Sequence, residues 1–183
     1  MRTMRGITLL EVAIALTIGF LLFGFAVPAL HHAVARARIG HARLALAESF
    51  LHANRVAVAT GSATVICPTP DGGGCRASTD WSAGWLVFAD VDGDRRYGPS
   101  DTLIQRRRAL AGDIRLLSTA GRTRIVFQPE GDSAGSNLTF TLCSSGAGEA
   151  GLLVLSNPGR VRLDAASAAQ TAACRYGRSP TGG

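Results

Sequence analysis

A short basic start is followed by one long apolar run, after which the pattern becomes mixed. From Ile7 to Leu30 nearly every residue is apolar, and Glu11 is the one charged residue. As a helix this run would reach roughly 36 Å, which is enough to cross a bilayer. From residue 31 to 60 apolar positions recur at helical spacing between arginines, which predicts an amphipathic helix that ends at Gly61. We expect its apolar stripe to lie against a β-sheet. The stripe consists of Val34, Ala37, Leu44, Ala47, Leu51 and Val58.

After the helical region the pattern shortens to segments of strand length, separated by Gly, Pro, Asp and Ser. The predicted strands lie within SATVICP, GWLVFAD, DTLIQRRRAL, DIRLLS, RTRIVFQPEG, SNLTFTLCS, AGLLVLS and GRVRLD. A long helical stem packed on a mainly antiparallel β-sheet follows, which is an α+β fold. We expect a β-rich head over residues 61–174 and a flexible tail over residues 175–183.

The apolar run has two interpretations, a retained membrane anchor or a removed signal peptide. Arg2 and Arg5 place the basic N-terminal end in the cytoplasm in either case. The run is longer than the roughly 7–15 apolar residues of a signal peptide, and Glu11 would weaken such a signal. A small-residue Ala-x-Ala pattern around Ala35 still fits signal cleavage, so spacing alone leaves both interpretations open.

The junction between the basic start and the apolar run carries a specific motif. The segment GITLLEV at residues 6–12 resembles the processing motif of type IV pilins and pseudopilins. The resemblance implies that a prepilin peptidase cuts between Gly6 and Ile7 and methylates the new N-terminus. In that family the fifth mature residue pairs with the N-terminal amine of a neighbouring subunit, which makes Glu11 an assembly residue. A carboxylate in hydrocarbon requires such a partner.

The resemblance also implies a location and a set of partners. Residues 1–6 would be removed, residues 7–30 would anchor the chain in the inner membrane, and residues 31–60 would form the stem. The head would lie in the periplasm before assembly and on a pilus at the cell surface afterwards, in contact with other pilin subunits. Residues 81–106, WSAGWLVFADVDGDRRYGPSDTLIQR, are similar to heads of the FimT/GspH group of minor pilins and pseudopilins.

Four cysteines in an exported domain predict two disulfides. The most economical of three arrangements closes the shorter loops, Cys67 with Cys75 and Cys143 with Cys174. A zinc site is the alternative, but the chain has no CxxC pair and no histidine near these cysteines. Disulfides are therefore favoured.

Composition argues against an enzyme. All four histidines precede residue 60, and the 19 basic residues are all arginine, so the head has neither His nor Lys for proton transfer near neutral pH. There is also no Gly-x-Ser-x-Gly elbow and no phosphate-cradling glycine loop with lysine. We predict neither catalysis nor a cofactor.

An acidic cluster precedes the third predicted strand. Its members occupy positions 1, 3, 5 and 12 of a possible calcium loop, and they are Asp90, Asp92, Asp94 and Asp101. Arg95 stands where the sharp turn needs Gly, and the last aspartate replaces a bidentate Glu. A solvated turn is favoured over a calcium site, and no metal is predicted.

Two basic segments are candidates for nucleic-acid contact. The run Arg106–Arg108 is the densest, and an exposed edge strand that discourages aggregation is its simpler interpretation. The second segment, NPGR at residues 157–160, predicts a type II turn with Gly159 at the positive-φ position. Arg160 and Arg162 would then project from one face of the next strand.

Alternation along that strand directs its other side chains inward. We expect Val161 and Leu163 to face the core. The pattern Gly-Arg-x-Arg at residues 159–162 resembles the C-terminal motif of FimT proteins that bind DNA. Arg175 and Arg178 on the tail could extend the basic patch.

The sequence thus leads to one principal hypothesis and two alternatives. The principal hypothesis is a minor type IV pilin of the FimT kind that binds DNA without sequence preference during natural transformation. The first alternative is a GspH-like pseudopilin, a structural part of a type II secretion filament that does not bind DNA. The second is a pilus-assembly primer without a ligand.

Overall fold

A computed structural model describes residues 8–70, 73–135 and 137–175. The predicted cleavage residues Gly6 and Ile7 lie outside the described residues, as does Arg178. The chain divides into two compact units, one that extends to Val34 and one that starts at Ala35. The second unit therefore includes residues 35–60 of the predicted stem helix together with the head.

The first element is a single long helix, α1 (Leu9–Thr60), in which Pro28 is an internal residue. Thr8 begins it by accepting the backbone N–H of Glu11 on its hydroxyl at 3.3 Å, a typical N-cap contact. Glu11 is exposed in the first turn. Gly61 ends the helix with φ +66° and donates its N–H to the Ala57 carbonyl, which confirms the predicted end.

By length and composition, α1 is able to cross a membrane, and among the described residues no other helix is. Large apolar side chains from Leu9 to Leu30 are exposed, and the buried residues of the helix begin at Ala35. An apolar surface of this kind requires lipid or other helices as its surroundings. The N-terminal part of α1 therefore fits membrane anchoring.

The described part of the head contains eight strands in two antiparallel sheets. The strands are β1 (Thr64–Pro68), β2 (Gly84–Ala89), β3 (Thr102–Arg108), β4 (Ile114–Ser118), β5 (Ile125–Phe127), β6 (Leu138–Ser144), β7 (Glu149–Leu155) and β8 (Val161–Ala165). The first sheet has the order β3-β2-β1-β5, and the second has the order β4-β6-β7-β8. Six of these strands lie wholly within a predicted segment, whereas β7 begins one residue before its segment and β8 ends one residue after its own. The predicted α+β fold is confirmed.

The core lies between α1 and the two sheets. Phe50 of α1 is 1% exposed, and its ring centroid is 6.2 Å from that of Phe127 and 5.7 Å from that of Phe140. Trp81 meets Phe140 edge to face at 5.1 Å. These contacts join one helix to both sheets, so Phe50 lies at the centre of the head.

The predicted stripe on the stem is wrong. Leu44 is 60% exposed, and Leu51 and Val58 are each 55% exposed. The sheets instead cover the neighbouring face of α1, which carries Phe50 and two aliphatic side chains, Ile39 and Leu46, among small residues that permit close approach. The buried residues are Ala35, Ile39, Ala42, Leu46, Ser49, Phe50, Ala53 and Ala57.

One element was not predicted, the C-terminal helix α2 (Ala168–Arg175). Ser167 caps it: its hydroxyl accepts the Gln170 N–H at 3.2 Å, and the Gln170 side chain accepts the Ser167 N–H at 2.9 Å. This is a capping box, and the sequence Ser-x-x-Gln was the signal for it. The side chain of Arg175, the last residue of α2, lies outside the described part of the chain.

Candidate functional site

The predicted basic hairpin is formed by β7, β8 and the five residues between them, of which residues 157–159 form the loop that Ser156 and Arg160 enclose. Ser156 donates its N–H to the Arg160 carbonyl at 2.9 Å, and Gly159 donates its N–H to the Ser156 carbonyl at 2.9 Å. Gly159 has φ +76° and is the last residue of the loop. Gly159 has the predicted positive φ, and the hydrogen-bonded turn begins at Ser156, one residue earlier than predicted. The left-handed glycine closes the loop so that strand pairing resumes.

Close packing holds this loop against α1. A Cβ atom on Gly159 would lie 2.8 Å from the Gly131 carbonyl oxygen and 2.9 Å from Asn54 Nδ2. Asn54 of α1 donates that same Nδ2–H to the Gly131 carbonyl at 2.9 Å. Glycine is therefore required at residue 159 for close approach as well as for its positive φ. The loop fixes the position at which β8 begins.

The two arginines of the motif differ in their partners. Arg160 is exposed immediately before β8, and within the described residues its guanidinium has no ion-pair partner. The Arg162 side chain is 73% exposed and places both Nη2 and Nε 3.1 Å from Asp164 Oδ2. An exposed ion pair of this kind is weak, so another anion can compete for Arg162.

The inward-facing side of β8 agrees only in part with the prediction. Val161 packs against the core, but Leu163 is 47% exposed. β8 is an edge strand, so Leu163 has a neighbouring strand on one side alone. Arg43 of α1 reaches the Asp164 carbonyl at 3.1 Å and holds the strand at this edge.

Two disulfides join the pairs that local loop closure favours. Cys67 and Cys75 have Cα atoms 5.4 Å apart, and those of Cys143 and Cys174 are 5.5 Å apart. The first closes the loop after β1. The second attaches α2 to β6, beside β7, where Cys174 Sγ also lies 3.2 Å from the Glu149 carbonyl. The basic tail therefore starts from a fixed point.

The acidic turn uses its carboxylates within the loop itself. Both Asp90 oxygens accept the Arg95 N–H at 3.2 Å, and burial raises the pKa of Asp90. Asp101 accepts the N–H groups of Val91 at 3.0 Å and Gly98 at 2.8 Å. The residue at the twelfth position of the candidate calcium loop therefore serves the backbone. These contacts match a self-capped turn.

The run Arg106–Arg108 lies on β3, an edge strand of the first sheet. Arg106 and Arg108 are exposed, whereas Arg107 is half-buried and forms an ion pair with Glu48 of α1. The alternation expected along a strand is therefore present. The run lies on the first sheet, whereas the hairpin arginines lie at β8 of the second sheet. The two basic segments therefore belong to different sheets.

A long N-terminal helix whose later turns pack under two antiparallel sheets defines the class of type IV minor pilins and pseudopilins. Such proteins are structural subunits of filaments. The chain belongs to the GspH family, described as type II transport protein GspH, whose model matches residues 43–174. Family membership implies assembly with other pilin subunits, and it confirms that the chain is not an enzyme.

Individual relatives agree with this assignment. The chain is similar to the pilin-like protein PilA1 of Thermus thermophilus, with 28% identity over 167 residues that cover 88% of this chain and 99% of PilA1. The type IV minor pilin FimU of Pseudomonas aeruginosa has a TM-score of 0.55 at 16% identity and covers 70% of this chain and 90% of its own. The minor pseudopilin EpsH of Vibrio cholerae has a TM-score of 0.50 at 12% identity and covers 70% of this chain and 97% of its own.

Proposed function

We propose that this chain is a minor type IV pilin of the FimT kind that binds DNA for uptake in natural transformation. The observation that carries the proposal is the pair Arg160 and Arg162, exposed at the start of an edge strand whose loop is packed against α1. Alternate residues of a strand project about 7 Å apart, which suits successive phosphates of a nucleic-acid backbone. Arg175 and Arg178 would add charge from the tail.

The chemistry of this surface predicts the kind of binding. Guanidinium groups contact phosphates, which carry no sequence information, so affinity should depend on salt and not on sequence. Strong stacking on single-stranded bases relies mainly on exposed aromatic rings. In the described part of the head the large aromatic side chains are buried, with Tyr97 half-buried against Phe88. Duplex DNA should therefore bind at least as well as single strands.

Replacing Arg160 and Arg162 together with alanine should weaken DNA binding by a head fragment that starts at Ala35. Removal of one arginine–phosphate interaction lowers the slope of log affinity against log salt by about 1, so we expect a reduction of roughly 2. Fluorescence anisotropy with labelled duplex at several salt concentrations measures this slope. The matched control, Arg96→Ala with Arg115→Ala, removes the same charge elsewhere on the head. Equal weakening in both variants would show that the assigned residues are not the site.

The variant Asp164→Asn provides a test with the opposite sign. It removes the carboxylate that now occupies Arg162 and keeps a side chain of similar shape. DNA affinity should rise several-fold in the same assay, because phosphate no longer competes with an internal anion. Weaker binding would contradict the assigned role of Arg162.

The second candidate function is that of a pseudopilin in a type II secretion filament without DNA binding. The family description and the similarity to EpsH favour it. Both functions need the same stem and head fold, so deletion of the gene separates them. Loss of exoprotein secretion with normal transformation supports the secretion filament, and the reverse result supports DNA uptake.

We also propose that maturation follows the pilin route. A prepilin peptidase would cut between Gly6 and Ile7, and Glu11 would then pair with the N-terminal amine of another subunit in the filament. The head would remain on the periplasmic side of the inner membrane until assembly. The motif at residues 6–12 and the exposed apolar surface of α1 support this route.

The outward stripe of α1, defined as Leu44, Leu51 and Val58, is the surface that we assign to contact with another subunit. Its members repeat every seven residues, which is the spacing of a helix–helix seam. Replacing Leu51 with glutamate should reduce incorporation into sheared filaments by at least about tenfold, because it places a charge in an apolar seam. Val91→Glu is the control, since Val91 is 60% exposed in the acidic turn. Normal incorporation of the Leu51 variant would exclude this surface.

A further inference from the structure

A groove of about 390 Å³ lies between α1 and the end of β3. Its floor is apolar: Trp85 is 1% exposed, and Ala42 and Ile114 are buried beside it. The indole N–H of Trp85 points to the Ser49 hydroxyl at 3.0 Å, so its polar edge is already satisfied. The groove therefore offers carbon surface to whatever enters it.

The rim of the groove is cationic. Arg38, His41 and Arg108 are exposed on it, and none of the described residues that line it is acidic. Within the described residues, Arg108 and His41 have neither an ion pair nor a side-chain hydrogen bond. The Arg38 guanidinium lies over Gly112, where a Cβ atom would be 2.7 Å from Nη1. A ligand that combines an anionic group with a short apolar part matches this arrangement.

The position of these residues in the sequence indicates where such a ligand comes from. Arg38 follows the predicted membrane span, which ends at Leu30, by eight residues. Residues 31–43 contain three arginines and three histidines and no acidic residue. Basic residues close to a span favour retention in the cytoplasm, yet this flank has three arginines against two before the span. Two arginines of this flank already have acidic neighbours in the protein, because Arg36 pairs with Glu149 and Arg38 interacts electrostatically with Asp113. The charge that remains available to an anion at the groove is therefore that of His41 and Arg108 together with the exposed side of Arg38.

We propose that the groove binds the phosphate headgroup of an anionic phospholipid in the leaflet that faces the head. Arg38, His41 and Arg108 contact the phosphate, and the glycerol and first acyl carbons cover Trp85. The bound lipid holds the head on the membrane surface before the subunit joins a filament. This inference rests on the proposed membrane anchoring and is independent of DNA binding, because it uses none of the hairpin arginines.

Native mass spectrometry of the full-length protein, released from micelles with equal amounts of phosphatidylglycerol and phosphatidylcholine, tests the proposal. The wild-type chain should retain phosphatidylglycerol preferentially. Each arginine near a membrane surface is worth about a fivefold change in binding, so Arg108→Gln should reduce that preference about fivefold and Arg38→Gln with Arg108→Gln about 25-fold. The control pair Arg96→Gln with Arg115→Gln should leave it unchanged. If the double variant does not fold, Arg108→Gln carries the test, because Arg108 is exposed on an edge strand.

The remaining outcomes identify the alternatives. Equal retention of the two lipids, or an equal reduction in the control pair, overturns the proposal. If inorganic phosphate binds as well as phosphatidylglycerol and displaces it, the groove is a site for free anions, and the proposal is overturned. The wild-type chain could show no lipid preference while Arg38→Gln with Arg108→Gln loses incorporation into filaments. That result would assign the groove to an acidic segment of another subunit and overturn the proposal. Arg160→Ala with Arg162→Ala should keep the lipid preference, so failure of DNA binding and failure of lipid binding are distinguishable.

Discussion

Replacing Phe50 with alanine is expected to lower the free energy of unfolding of the head by about 3–5 kcal/mol. Phe50 is 1% exposed and contacts Phe127 of the first sheet and Phe140 of the second. Truncation removes a large apolar side chain from water-free surroundings and leaves a cavity that both sheets would have to close. Because the sheets also pack on other core residues, they can relax only in part.

Denaturant unfolding of the fragment that starts at Ala35 measures this decrease. The matched control is Leu51→Ala on the next residue of α1, whose side chain is 55% exposed on the outward face. It should change the free energy of unfolding by about 0.5 kcal/mol or less, as surface substitutions do. Similar decreases in the two variants would mean that the buried face of α1 is assigned incorrectly.

Removing the disulfide between Cys143 and Cys174, by serine substitution at both positions, should have the second largest effect. The two cysteines are 31 residues apart, and loop-closure entropy gives a decrease of about 3.7 kcal/mol in unfolding free energy. Cys67 and Cys75 are 8 residues apart, for which the same relation gives about 2.5 kcal/mol. The longer loop has the larger effect because the unfolded chain gains more conformations when the disulfide that closes this loop is removed.

Urea melts of the two double-serine variants provide the comparison, each serving as the control for the other. Hydrogen exchange should in addition show weaker protection in α2 for the Cys143 variant, since this disulfide attaches α2 to β6. A greater decrease in stability in the Cys67 variant would contradict the loop-length argument.

The success of the strand predictions has a local cause. In GWLVFAD and SNLTFTLCS, β-branched and aromatic residues are bounded by Gly, Asp and Ser, and the ends of the strands depend on these neighbours alone. The helix end at Gly61 was predictable for the same reason. The missed helix α2 also had a local signal, the capping box formed by Ser167 and Gln170.

The errors arose where the partner is distant in sequence. Two faces of α1 carry apolar residues at helical spacing, and the choice between them depends on which face meets Phe127 and Phe140. Leu163 alternates like a core residue, but β8 is at the edge of its sheet. Alternation reports the face of a strand and not its place in the sheet.

Neighbouring residues alone encode the apolar run, the α+β composition, the order of strands along the chain and the candidate basic motif, so each of these follows from the amino-acid pattern. The packing of the sheets on the helix decided which side of α1 is covered and that Asp164 pairs with Arg162. It also decided that Arg38, His41 and Arg108 surround one apolar floor. These are contacts between distant segments, and they depend on how the sheets pack against the helix, which local patterns do not encode.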